Sequence, residues 1–210
     1  MNLKKRKFKV YLLRHGEIVS RNSFVGQRDL PLTEEGIRQA YWWNEIFEGV
    51  ELDKIYCSDL GRTVQTAEIL SGKPKEMLKF MPEFREIQLG DWEGLAVAEV
   101  AQRFPQEWHE RGSCLATFRP PGGESFQDLK ERVIPVFQRI VDKARGDTMI
   151  VSHAGVNRVI LCHLLGAPLD NVFRLKQDYG SLNLIEFDGE LFQICAVNMR
   201  PGVEGQFRIS

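Results

Sequence analysis

The sequence predicts an α/β fold, a three-layer α/β/α sandwich in which helices cover both faces of a mostly parallel central sheet. Short runs rich in β-branched and aromatic residues alternate along the chain with longer segments whose apolar residues recur at helical spacing. The chain has 210 residues, enough to bury a sizeable core. We therefore predict a single domain over residues 1–210, with a small irregular or helical cap insertion at about residues 91–123.

The first half of the chain supplies three predicted strands and two predicted helices. Phe8–Leu13 is rich in β-formers and ends in an apolar run, which is typical of a strand buried on both faces. Thr33 is a suitable N-cap for a helix whose first turn is acidic and whose apolar residues follow at helical spacing. Ile55–Cys57 predicts a second strand, Leu60–Leu70 a second helix and Met77–Met81 a third strand.

The predicted cap insertion is the least regular part of the chain, and it ends in the strong breaker Arg119–Gly123. It carries several large aromatic residues, which either stack on a ligand or form a small core of their own. We favour the interpretation that they form a small core. The residues are Trp92, Phe104, Trp108 and Phe118.

After this breaker, predicted helices and strands alternate regularly again. Glu124–Ala144 predicts a long amphipathic helix, disturbed at Pro135, and Thr148–Ser152 predicts another buried strand. Val156–Leu165 predicts the next helix. Asp188-Gly189 is a strong hairpin signal, whose outer strand would leave an exposed edge open to a second copy of the chain, as in a homodimer. Its two predicted strands are Ser181–Phe187 and Leu191–Val197.

Charge and composition exclude several classes of protein. The 28 Lys and Arg residues nearly balance 29 Asp and Glu residues, for a net charge of -1, so the basic excess typical of nucleic-acid binders is missing. No run approaches the ~20 apolar residues of a membrane span, and the basic start lacks the apolar run of a secretory signal. The four cysteines show no disulfide or zinc-like spacing. We expect a cytoplasmic protein without nucleic-acid or membrane partners.

Positive charge nevertheless gathers where predicted strands end. Arg14 and His15 follow the first strand, Arg62 begins the helix after the second, and His153 follows the fourth. Because the carboxyl ends of parallel strands meet at one edge of a sheet, these four side chains are expected to converge. Backbone N–H groups at the start of the helix after Ala154 would add to an anion-binding pocket.

Two arginines and two histidines suit the chemistry of a phosphate dianion. Arginine matches phosphate oxygens with a planar fork, and a neutral imidazole is able to attack phosphorus. The leaving oxygen needs a proton donor, and the carboxylates of Glu83 and Glu86 are the best placed in the sequence. These arguments leave open which of the two histidines is the nucleophile.

Other routes to phosphate chemistry lack their motifs. There is no G-x-x-x-x-G-K-[ST] loop, which excludes a P-loop NTPase. A cysteine phosphatase needs its arginine one residue further from the cysteine than Arg62 lies from Cys57. No array of acidic residues and histidines has the spacing of a two-metal site, so we predict neither a metal nor another cofactor.

At these residues the sequence resembles the histidine phosphatase superfamily, which includes the phosphoglycerate mutases. The matching motifs occur in family order and cover about residues 8–190. They are Leu13–Glu17, Pro31–Thr33 with Gly36, Ser58–Ala67, Glu86 with Gly90–Gly94, Pro121–Ser125 and Ser152–Val156.

The resemblance implies a role for each member of the cluster. His15 would be the nucleophile that forms a phosphohistidine, and Arg14 and Arg62 would bind the phosphoryl oxygens. His153 would stabilise charge on those oxygens, and Glu86 would protonate the leaving group and then help to activate water.

One residue that contacts phosphate in the family is different in this chain. The family commonly carries an asparagine six positions after the nucleophile, where this chain has Arg21 followed by Asn22. We expect Asn22 or Arg21 to contact phosphate, together with the backbone at Ala154.

The resemblance favours the phosphatase branch. Mutases usually carry an asparagine at the position of Gly155 and a substrate-binding segment that this chain lacks. The Phe24–Thr33 and Pro121–Ser125 segments look like those of α-ribazole phosphatases of cobalamin synthesis. The expected partner is thus a small phosphorylated metabolite, with α-ribazole 5'-phosphate as the best candidate. The alternatives are a cofactor-dependent phosphoglycerate mutase and a non-catalytic phosphate-binding module.

Overall fold

Six strands form one mixed sheet at the centre of the protein. The computed structural model describes residues 6–20 and 22–202. Along the sheet the strands follow the order β3-β2-β4-β1-β5-β6. They are β1 (Phe8–Arg14), β2 (Lys54–Cys57), β3 (Lys79–Phe80), β4 (Thr148–Ser152), β5 (Leu182–Phe187) and β6 (Phe192–Met199).

The sheet is mostly parallel, as predicted. β3, β2, β4 and β1 run parallel to one another, while β5 and β6 form the antiparallel hairpin at the other end. All five residues of β4 are buried, which explains why Thr148–Ser152 is apolar in most of its positions. The predicted third strand over 77–81 shortens to the two residues of β3, because a 3-10 turn occupies Lys75–Met77.

Helices cover both faces of the sheet, which confirms the predicted α/β layers. One hydrophobic core lies between the sheet and α5 and α6, and a second lies between the sheet and α1 and α2. The helices are α1 (Glu34–Ile46), α2 (Gly61–Ser71), α3 (Val97–Arg103), α4 (Pro105–Ser113), α5 (Phe126–Lys143) and α6 (Ala154–Leu165).

Local capping chemistry sets the helix boundaries. The Thr33 hydroxyl accepts a hydrogen bond from the Gly36 N–H and begins α1, as predicted. Ser125 and Asp128 form a reciprocal capping box, so α5 begins at Phe126 instead of the predicted Glu124. The helix continues through Pro135 as one element, so this proline does not end it; a local disturbance there stays a prediction.

The segment between β3 and α5 folds more regularly than its sequence predicts. It contains α3 and α4, and Trp92, Val100 and Phe118 form a small buried core within it. Trp92 is fully buried, so packing accounts for this aromatic residue. The assignment of the segment as a cap on a single domain stays a prediction. Within the described ranges, no helix combines the length and apolar character needed to cross a membrane.

Candidate active site

The central pair of parallel strands brings the two predicted histidines together. Arg14 of β1 lies opposite Ser152 of β4, and the His15 N–H donates to the Ser152 carbonyl oxygen over 3.0 Å. His15 and His153 each follow their strand by one residue. Their ring centroids consequently lie 5.1 Å apart, in an edge-on arrangement.

His15 is held as a neutral imidazole with one nitrogen free. Burial lowers its pKa well below 6.5, and the positive charges of Arg14 and Arg62 lower it further. Its Nδ1 lies 2.8 Å from the Gly16 carbonyl oxygen. Because a carbonyl oxygen only accepts, the neutral ring carries its proton on Nδ1. The lone pair on Nε2 is then available to attack an electrophile.

His153, the second histidine of the pair, is held by a hydrogen bond to a serine hydroxyl. Burial lowers its pKa well below 6.5, and Arg62 and the other nearby cations add to this shift. Its Nε2 lies 2.8 Å from the Ser58 hydroxyl, which in turn bonds with Thr63. Its Nδ1 is buried and has no partner among the described residues. That nitrogen is therefore the one left to interact with a ligand.

Arg14 is fixed by the loop before β5. One terminal nitrogen donates to the Gln177 carbonyl oxygen over 2.7 Å, and the guanidinium stacks 3.6 Å from the centroid of the Tyr179 ring. The same loop bonds to its backbone, since the Arg14 N–H donates to the Ser181 carbonyl. Burial lowers the pKa of Arg14, although arginine stays charged.

Arg62 is buried at the start of α2 and is held by a different loop. Its two terminal nitrogens donate to the carbonyl oxygens of Arg28 and Gly26, over 2.7 and 2.9 Å. Asp29 lies 3.8 Å away but is half exposed, so it offsets little of the buried charge. The Nε atoms of both Arg14 and Arg62 are buried without a hydrogen-bond partner in the described chain. Both arginines thus keep donors for an anion.

Glu86 faces the start of α6. Both of its carboxylate oxygens lie 3.1 Å from the Gly155 N–H, and Oε1 also accepts from the Ile87 N–H. A Cβ at position 155 would lie only 2.3 Å from Glu86 Oε1, so glycine is the residue that lets the carboxylate approach. Arg132 donates to the Glu86 carbonyl oxygen and anchors this segment.

These side chains surround a cavity of about 300 Å³ at the carboxyl ends of the parallel strands. Arg14, His15, Arg62 and Glu86 line it, and His153, which is fully buried, contacts His15 without being one of the lining residues. One wall is apolar and aromatic; its members include Phe24, Leu115, Phe118, Phe126 and Phe173.

Two other predicted contacts, Asn22 and Ala154, are not among the residues that line the cavity. Asn22 is exposed with a φ of 56°, and its carbonyl oxygen accepts from the Val97 N–H. Ala154 is nearly buried, and the N–H of the next residue, Gly155, is occupied by Glu86. Arg21 lies outside the described residues. Phosphate contacts from these residues stay predictions.

The structure adds residues that sequence reasoning missed. Tyr179, Arg111, Arg158 and Phe173 line the cavity. Arg158 lies about one turn into α6, the helix that directly follows the strand-end residue His153. A residue at that position is expected to lie near the strand ends, so the sequence could have indicated it. The other three lie in the short helix α4, in a 3-10 helix and in a loop, where no long periodic pattern indicates which way a side chain points.

Two buried arginines beside neutral imidazoles, at the carboxyl ends of parallel strands, are the arrangement expected of a phosphoryl-handling enzyme of the α/β type. The chain matches the histidine phosphatase superfamily (branch 1) over residues 10–200. It belongs to that superfamily, and the predicted enzyme class, a histidine phosphatase, is confirmed.

Relatives with two different activities resemble the chain over most of its length. The adenosylcobalamin/alpha-ribazole phosphatase of Escherichia coli (strain K12) is 27% identical over 93% of this chain and 98% of that protein. The probable phosphoglycerate mutase GpmB of Yersinia pestis (strain Pestoides F) is 31% identical over 85% of this chain and 84% of that protein. The crystal structure of the alpha-ribazole phosphatase from Shigella flexneri superposes with a TM-score of 0.84 at 26% identity, covering 94% of this chain and 100% of that chain.

Proposed function

We propose that this protein hydrolyses small phosphomonoesters through a phosphohistidine at His15. The observation that carries the proposal is the pairing of a neutral His15, protonated on Nδ1, with two buried arginines that keep unpaired donors. A neutral nucleophile with a free lone pair beside fixed positive charge suits attack on a phosphate dianion.

In the first step, His15 Nε2 forms a bond to phosphorus while the bond from phosphorus to the ester oxygen breaks. Glu86, in its acid form, gives a proton to the departing oxygen, so the alcohol leaves neutral. Arg14 and Arg62 hold the phosphoryl oxygens during this transfer. Because His153 Nε2 bonds with the Ser58 hydroxyl, the other ring nitrogen, Nδ1, is the one that would interact with a phosphoryl oxygen.

In the second step, water replaces the histidine. The Glu86 carboxylate takes a proton from the water, the new oxygen–phosphorus bond forms, and the bond from phosphorus to His15 Nε2 breaks. Inorganic phosphate leaves, His15 returns to its neutral form, and Glu86 is again an acid ready for the next ester.

Our candidate substrate is α-ribazole 5'-phosphate. Two observations support it: the resemblance to alpha-ribazole phosphatases over nearly the whole chain, and the apolar wall of Phe24, Phe118 and Phe126, which suits an aromatic leaving group. The four cysteines are unpaired, which is consistent with action on this metabolite in the cytoplasm.

Phosphoglycerate mutase activity is the second candidate, and the similarity to the Yersinia protein favours it. Gly155 argues for hydrolysis instead, because mutases of the family usually carry an asparagine at this position. A non-catalytic phosphate-binding role is disfavoured, because the proposed nucleophile, acid and second histidine are all in place.

The His15→Ala variant tests the nucleophile. We expect it to lower kcat/KM for p-nitrophenyl phosphate by about a thousand-fold or more, because the covalent route is lost. The exposed His109 provides the matched control, and His109→Ala should keep full activity. Hydrolysis that survives His15→Ala would exclude His15 as the nucleophile, and a wild-type enzyme without hydrolysis would exclude the proposed function.

A substrate panel tests the choice of ester. We expect α-ribazole 5'-phosphate to have a higher kcat/KM than simple sugar phosphates, because its base packs against the apolar wall. The panel is measured by phosphate release, with conversion of 3-phosphoglycerate to 2-phosphoglycerate in the presence of bisphosphoglycerate as a separate assay. A rank below sugar phosphates would contradict the substrate assignment, and efficient isomerisation would establish the mutase alternative.

The Gly155→Ala variant tests Glu86 as the proton donor. The added methyl group pushes the carboxylate away, so we expect kcat/KM for phenyl phosphate, which reports the first step alone, to fall about 100-fold. The kcat/KM for p-nitrophenyl phosphate should fall much less, since p-nitrophenolate leaves without protonation. Gly112→Ala, where a Cβ meets no atom within 4 Å, is the matched control. Equal losses for both esters would contradict this role of Glu86.

A further inference from the structure

A cluster of buried side-chain amides joins α6, β5 and the segment between them. Its members, Asn157, Gln177 and Asn183, are at most 3% exposed, and none of them is among the residues that line the cavity. Neutral amides in a protein interior are costly unless each polar atom has a partner, and apolar side chains would pack there without that requirement. No step of the proposed hydrolysis uses these amides, so they are candidates for an indirect role in the site.

The amides of Gln177 and Asn183 use all their donors. The two residues exchange a pair of hydrogen bonds, since each amide nitrogen donates to the amide oxygen of the other residue, over 2.7 and 2.9 Å. The second hydrogen of each nitrogen goes to a carbonyl oxygen, that of Lys176 or that of Leu12 in β1. Asn157 of α6 donates to Gln177 Oε1 over 3.1 Å. Because a satisfied buried network is rigid, the backbone at Gln177 is fixed relative to β1, β5 and α6.

The backbone next to this cluster carries two groups that hold Arg14. The Gln177 carbonyl oxygen accepts a hydrogen bond from a terminal nitrogen of Arg14 over 2.7 Å. Two residues later, Tyr179 places the centroid of its ring 3.6 Å from the guanidinium carbon of the same arginine. Arg14 Nε is buried and has no partner in the described chain, so it is available to a phosphoryl oxygen. The carbonyl oxygen and the ring thus set the direction in which the available edge of the guanidinium points.

Holding Arg14 in advance favours the binding of a phosphoryl group. Arginine has a long side chain, and immobilising such a side chain when a ligand binds weakens the binding. In this protein the immobilisation is already complete before a ligand arrives, because the carbonyl oxygen and the ring act on Arg14 in the free protein. Neither group is an anion, so the charge of the arginine remains available to the phosphate.

We propose that Gln177 and Tyr179 are positioning residues for the reaction, which orient Arg14 toward the phosphoryl group before the substrate binds. Gln177 acts through its backbone carbonyl, which its own buried amide keeps in place, and Tyr179 acts through the face of its ring. The inference rests on the proposed function, in which Arg14 holds the phosphoryl oxygens. It goes further by naming the residues that determine the orientation of this arginine.

Two substitutions of Tyr179 test the ring. Tyr179 lies at the cavity and is only partly buried, so its truncation opens no closed void in the core. We expect Tyr179→Leu to weaken the calorimetric binding of phenylphosphonate about tenfold, because the guanidinium loses its stacking partner, and Tyr179→Phe to keep nearly the wild-type affinity. Tyr41→Leu, which truncates an exposed tyrosine of α1, is the matched control. Equal losses in the Leu and Phe variants of Tyr179 would overturn the role of the ring.

A double-mutant cycle tests whether Tyr179 acts through Arg14. In an Arg14→Ala background the ring has no guanidinium to orient, so Tyr179→Leu should cause no further loss of phenylphosphonate affinity. A side chain that only stabilised the fold, or that bound the ligand directly, would give the same tenfold loss in both backgrounds, and that result would overturn the proposal. Binding needs no turnover, so a wild-type enzyme that binds phenylphosphonate without hydrolysing esters would count against the proposed function alone.

Gln177→Met tests the buried amide. Methionine has a similar shape and keeps the backbone carbonyl, but it makes no amide hydrogen bonds, so we expect the affinity for phenylphosphonate to fall about tenfold. Unchanged affinity would overturn the role of the amide. A nitrogen-15 NMR spectrum of the free wild-type protein provides a second measurement, with Arg14 assigned by the loss of its signals in Arg14→Ala. We expect separate signals for the two terminal nitrogens of Arg14, because the carbonyl oxygen and the ring slow the rotation of the guanidinium. Averaged signals would overturn the proposal, even if Gln177→Met does not fold.

Discussion

The parallel pairing of β1 with β4 is the constraint on which the rest of the site depends. Because Arg14 lies opposite Ser152, the residues that follow the two strands, His15 and His153, come into contact. A shift of one residue in this register would turn every strand side chain to the opposite face of the sheet. The apolar residues of β1 and β4 prevent that shift, since both faces are packed by helices.

The site concentrates charge where burial makes it effective. Arg14 and Arg62 are held by backbone carbonyl oxygens and by an aromatic ring, with little help from carboxylates. Carbonyl partners fix a guanidinium without cancelling its charge. Burial lowers the pKa of both histidines, and the field of the two arginines lowers it further, so the histidines stay neutral. The same field would attract a phosphate dianion and stabilise its transfer, although the chain as a whole carries a net charge of only -1.

The sequence contains enough information to predict which residues lie at the strand ends. It does not contain enough to predict which side chains of the short helices and loops reach the site. β1, β2 and β4, and the helices after β2 and β4, follow from residue pattern, so the convergence of Arg14, Arg62 and His153 was predictable. Arg111, Phe173 and Tyr179 come from short helices and loops, whose directions depend on tertiary packing. The sequence also did not predict that Asn22 is exposed. Its backbone is left-handed, a conformation that the sequence does not reliably indicate at a non-glycine residue.

The proposed attack of His15 Nε2 on phosphorus depends on the Nδ1 proton being held by the Gly16 carbonyl oxygen. The most direct measurement is rapid quenching of the enzyme during turnover of p-nitrophenyl phosphate, followed by 31P NMR and peptide mass spectrometry of the trapped phosphoenzyme. We expect an acid-labile phosphohistidine at residue 15, substituted on Nε2. Phosphate on Nδ1, phosphate on His153, or steady turnover without any phosphoenzyme would contradict it.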